Sequence, residues 1–128
     1  MKLTATLARI LLGLVFVVFG ANGFLHFIPM GPMPTGTAGQ FLGALFVSHF
    51  LAFVSATQLV TGALILINAF VPLALVVLAP VIVNIFLYHA LMDPKGLPLA
   101  AVAAVLWILT AVGVRSAFAP LLRAKPGA

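Results

Sequence analysis

The sequence predicts an all-α, polytopic membrane protein: a single domain over residues 1–128 formed by an antiparallel bundle of four transmembrane helices. Three observations predict it. Hydrophobic residues make up 65% of the chain and charged residues 5%, whereas a water-soluble domain needs roughly a quarter charged residues to cover its exterior. The mean hydropathy of +1.36 leaves far more apolar surface than a chain of this length can hide in one core. Finally, Pro, Gly and charged residues divide the chain into four apolar stretches, each near the ~20 residues that cross a bilayer core of ~30 Å.

The first stretch, about residues 3–27, is uninterrupted between Arg9 and Asn22. Its basic start is that of a signal peptide, but cleavage after Ala21 would put bulky Phe19 where a small residue is required, so the segment is expected to remain attached. Residues 29–39, PMGPMPTGTAG, concentrate Pro and Gly and predict a loop or lid without regular helix. The second stretch, about 40–68, is the most polar, carrying Ser48, His49, Ser55, Thr57, Gln58 and Thr61. Its small residues Ala44, Ser48, Ala52, Ser55 and Gly62 fall on one stripe of a continuous helix, a face suited to close packing against a neighbour.

The third stretch, about 72–92, opens on Pro72, tolerated in a first turn, and contains Pro80, which predicts a kink and a freed carbonyl at Val76. Asp93-Pro94-Lys95-Gly96 predicts a tight polar turn, and the fourth stretch runs from about 98 to 118. Short connections make helices two, three and four antiparallel neighbours. Lys2, Arg9, Arg115, Arg123 and Lys125 then share one end, and the other end has only Lys95 beside Asp93. By the excess of Lys and Arg on cytoplasmic flanks, both termini are expected in the cytoplasm. Cations at the ends of apolar runs, rather than interleaved with aromatics along one face, exclude nucleic acid as the partner.

With no cysteine and one acidic residue, neither thiolate chemistry nor a Ser/His/Asp triad or zinc motif can be assembled. What remains is a set of polar groups in the outer half of the bundle. Asn22 and His26 lie one turn apart, as do Asn84 and Tyr88, with His89 next in sequence, His49 on the second helix and Asp93 just above the third. Polar residues at membrane depth face the bundle interior and mark function or interhelical hydrogen bonding. Four readings stay open: helix packing, a quinone-like carbonyl headgroup site, haem held by paired histidines, and soft ligation of copper by Met30, Met33 and His26. In the ligand reading His26 and His89 contact the headgroup, Asn22 and Asn84 orient it, His49 and Tyr88 complete the lining, and Asp93 accepts a proton from a histidine. No metal site is assigned.

At NGFLHFIPMGPMP, residues 22–34, and PLALVVLAPVIVNIFLYHALMDPKGLP, residues 72–98, the chain resembles the DoxX family of small four-helix bacterial membrane proteins. LARILLGLVFVVFG and TQLVTGALILIN, with Arg9, Gly13, Gly20 and Gly62, fit the same pattern. The resemblance implies a multi-pass protein of the bacterial cytoplasmic membrane associated with quinone-linked oxidoreductase assemblies. It also implies an intramembrane acid where this chain has Gln58, and another near Trp107, both lacking here. The expectation is therefore an accessory subunit, not catalytic on its own, that offers a His- and Asn-lined pocket to a quinone within a larger complex. It would meet lipid and partner membrane subunits, or a second copy of itself. The alternatives are a purely structural or assembly subunit and a small transporter.

Overall fold

The computed structural model describes residues 2–29 and 31–127, and among them the chain is helical without strands. The helices are α1 (Lys2–Leu25), α2 (Gly36–Val47), α3 (Phe50–Leu66), α4 (Val71–Leu91) and α5 (Leu97–Gly113). A 3₁₀ turn, Pro94–Gly96, leads into α5, and a 3₁₀ segment, Arg115–Leu122, follows it. Three stretches are long and apolar enough to cross a membrane: Lys2–Leu25, Val71–Leu91 and Pro94–Gly113. The fourth predicted span is not one helix. It is the pair α2 and α3, bent by 83° between them.

That break corrects the continuous helix expected over 40–68, and its cause is local. His49 adopts a left-handed conformation (φ 63°), which ends α2 as a C-terminal cap residue does. The Ser48 hydroxyl bridges the gap, donating to the Leu45 carbonyl (3.4 Å) and accepting from the Phe50 N–H (3.2 Å). The stripe of small residues is split in consequence, with Ser55 and Gly62 buried while Ala44, Ser48 and Ala52 are exposed. The loop expected over 29–39 is shorter than its Pro and Gly content suggested, because helix begins at Gly36.

α1 packs between α3 and α5, and α4 closes the ring by packing against the same two, so α1 and α4 face each other diagonally. The α1–α3 pair is the tightest. A Cβ added at Gly13 would lie 2.8 Å from Leu66 Cα, at Gly20 2.6 Å from Leu59 N, and at Gly62 2.7 Å from Val17 N, while one at Gly23 would collide with Ser55. As the α1 position rises the α3 partner falls, which fixes the pair as antiparallel. The core at their meeting with α4 and α5 contains Leu12, Phe16, Ile65, Leu75, Leu78 and Ala103.

Two polar contacts lock the ring. Arg9 Nη1 donates to the Ile65 and Leu66 carbonyls (2.7 and 2.9 Å), closing the C-terminus of α3. There Asn68 is left-handed (φ 60°), with bonds from Ala69 N to Leu64 O and from Asn68 N to Ile65 O that form a Schellman end. Across the ring, the Trp107 indole donates to the Leu75 carbonyl (2.9 Å), within the turn before the internal proline Pro80 and one position before Val76. Lys2, Arg9 and Arg115 thus gather at the end carrying the chain termini, and Asn22, His26, His49, His89 and Asp93 at the far end.

Candidate functional site

The far end holds two separate groupings of the predicted polar residues. The first is a cleft of about 170 Å³ lined by Gly23, His26, Phe46, His49, Leu51 and Ala52. Helix α1 ends at Leu25 because His26 turns left-handed (φ 52°), its N–H still bonding the Asn22 carbonyl at 2.9 Å. This geometry swings the imidazole off the helix axis. His49, also left-handed, enters from the α2–α3 elbow, so both rings of the cleft stand on backbone corners rather than on helix faces. Histidine is among the residue types with a Cβ that are enriched in this sparsely populated region.

Phe46 stacks on His26 with centroids 6.4 Å apart and planes 26° from parallel. Phe24, Phe27, Phe50 and Phe53 are exposed at the same end, so the polar cleft is set in an apolar, outward-facing rim. Neither the His26 nor the His49 ring has a hydrogen-bond partner among the described residues. Each can donate from one ring nitrogen and accept at the other, which suits a carbonyl or phenol headgroup. The volume lies below the roughly 300–1,000 Å³ of pockets that engulf a drug-sized ligand, so the cleft takes a single ring and not a haem macrocycle.

The second grouping lies on α4. Tyr88 stacks on Phe41 of α2 (5.5 Å, 29°) and meets His89 edge to face (4.9 Å). The Tyr88 hydroxyl is buried without a hydrogen-bond partner among the described residues. Nδ1 of His89 pairs with the backbone carbonyl of Asp93 at 3.0 Å, and the ring packs over Gly96, where any Cβ would strike it. The Asp93 group that meets His89 is therefore the carbonyl and not the carboxylate expected to accept a proton.

The predicted residues thus divide. His26 and His49 share the cleft, while Tyr88 and His89 stand apart from it, on the helix diagonal to α1. Asn22 is buried and its Oδ1 accepts from the Ile28 N–H (2.8 Å), pinning the chain as it leaves α1. Asn84 is exposed and donates to the Pro80 carbonyl of its own helix (2.7 Å). Neither amide points a free group into the cleft. Met30 lies outside the described residues, and among those described no three His, Cys, Asp or Glu side chains converge as a metal site would require.

Residue-by-residue reading missed Phe41 and Phe46, the aromatic partners supplied by α2, and the packing of Gly96 on His89. The signal for the phenylalanines lay in the spacing of α2 from its elbow, which becomes visible only once the helix is broken at His49. The chain matches no family model, no curated protein and no solved structure. The resemblance to the DoxX family therefore rests on the quoted motifs alone.

Proposed function

We propose that this protein is a DoxX-like accessory subunit of a quinone-linked oxidoreductase complex in the bacterial cytoplasmic membrane, and that the His26–His49 cleft receives the ligand's headgroup. In this reading α1, α4 and α5 each cross the bilayer, α3 supplies the fourth crossing with α2 bent away at its outer end, and both termini are cytoplasmic. The observation that carries the proposal is the pairing of two unpartnered imidazoles on backbone corners inside an aromatic, outward-facing rim. A quinone would supply the redox chemistry. The chain's own part is to hold the ring, with His26 and His49 donating to its carbonyl oxygens and Phe46 covering one face. One acidic residue in the whole sequence, Asp93, gives little means of completing proton-coupled catalysis within this subunit.

The competing reading, a packing subunit, is favoured for Asn22, Asn84 and His89, each of which spends one polar atom on the backbone of its own helix or the turn after it. The two readings separate on mutation. The full chain, purified in mild detergent with whatever subunits accompany it, is extracted with organic solvent and its quinone measured against protein. His26→Gln and His49→Ala are expected to lower bound quinone about tenfold while His89→Gln leaves it unchanged. Wild-type protein without quinone, or equal retention in all three variants, would reduce this chain to a packing subunit.

A further inference from the structure

A larger cleft lies at the opposite end of the molecule, about 510 Å³ between α1, α5 and the α3–α4 connection. Lys2, Arg9 and Arg115 all line it, together with Thr6 and the Asn68 side chain. The only carboxylate side chain of the sequence, Asp93, is at the far end, so nothing of opposite charge answers these cations among the described residues. Topology accounts for cations at this end. It does not account for three of them converging on one concavity, where they repel.

The arginines are also held in place. Arg9 spends Nη1 on the α3 carbonyls, and Arg115 donates from Nη1 to the Val112 carbonyl at 3.0 Å. Each keeps its Nε and Nη2 edge, the fork that binds a phosphate oxygen pair. On the face of α1 turned away from the cleft-lining Lys2, Ala5, Thr6 and Arg9, Leu3, Leu7, Leu11 and Leu14 form an exposed stripe. At 1.5 Å per residue it extends roughly 16 Å along the helix, so the end of α1 that carries the cations has an apolar outer face against which lipid packs.

We infer that this cleft binds a phosphate-type anion, carried by the headgroup of an anionic lipid. Basic pockets between membrane helices recognise lipid phosphates in this way. Like the quinone cleft it is built from one chain, but it shares no residue with that site and stands or falls separately.

Native mass spectrometry of the full chain in detergent, titrated with dioleoyl phosphatidylglycerol or dioleoyl phosphatidylcholine, tests the inference. The glycerol lipid is expected to be retained at least tenfold more tightly, and Arg115→Gln and Lys2→Gln to remove most of that preference. Because Arg9 also closes α3, it is replaced only by Lys, which keeps the charge and loses the fork. Displacement of the lipid by millimolar inorganic phosphate would support the anion site but assign it to a soluble phosphate. Equal retention of the two lipids, or a preference untouched by Arg115→Gln and Lys2→Gln, would overturn it and leave the cations as topology signals.

Discussion

Glycine residues do different work along this chain, and the difference can be measured. Gly20 exists because the α3 backbone passes where its side chain would be: a Cβ there would stand 2.6 Å from Leu59 N, whereas a Cβ at Gly43 meets open space. Gly20→Leu must push α1 and α3 apart and is expected to cost about 3 kcal/mol, the upper range for overpacking. Gly43→Leu is expected to be neutral or to stabilise by up to about 1 kcal/mol through helix propensity. Thermal unfolding in one detergent reads both; similar melting temperatures for the two variants would contradict the close α1–α3 contact. Both glycines sit in apolar helical sequence, and only the three-dimensional neighbour tells them apart.

At the scale of elements, the sequence announced where helices would be but not where one would break. Apolar length bounded by Pro, Gly and charge located α1 and α4 closely and, with Pro98, the start of α5, but α5 ends at Gly113 and not near 118, the chain continuing as the 3₁₀ segment Arg115–Leu122. It could not announce the elbow, since Ser48 and His49 carry neither Pro nor Gly and the apolar pattern continues through them. The candidate site was obscured for the same reason. A straight second helix puts His49 on a helical face, while the observed corner turns it toward His26. A left-handed residue with a Cβ is strained by about 1 kcal/mol or more, and Gly relieves that strain. His49→Gly is therefore expected to raise the unfolding free energy by about 1 kcal/mol, opposite in direction to the loss of quinone expected from removing the imidazole. A variant that is less stable than wild type would show that the His49 side chain holds the elbow together.

For the whole molecule, the division of charge is as informative as the fold. Five of the six basic residues belong to the two ends of the sequence, which meet at one pole, and the sixth, Lys95, sits near Asp93 at the other. The proposed orientation follows from that asymmetry. Reporter fusions after Gly36 are expected to read the periplasm, and fusions after Lys125 the cytoplasm; the reverse pattern for either would invert or dismantle it. Exposed side chains such as Leu14, Val60, Val77 and Val105 surround the ring between the poles, consistent with a belt that meets lipid or neighbouring subunits.

The two left-handed histidines have a further meaning for modularity. The chain departs from the ring at His26 and rejoins it at His49, and both line one cleft, so the intervening excursion begins and ends at nearly the same point. Its two ends lie close together as those of an Ω-loop do, although the segment is longer and contains α2, with the Phe41–Tyr88 stack as a tether to α4. Such a segment is separable in principle: replacing residues 27–48 by a short Gly-Ser linker is expected to leave α1, α3, α4 and α5 folded, because the joined ends lie close and a short loop costs little to close. Circular dichroism and detergent gel filtration of the shortened chain would show an intact, monodisperse helical protein, whereas collapse would mean that α2 is indispensable to the ring. If the shortened chain folds, the helical ring is a host scaffold, and α2 an insert on which length and sequence can vary without rebuilding the rest.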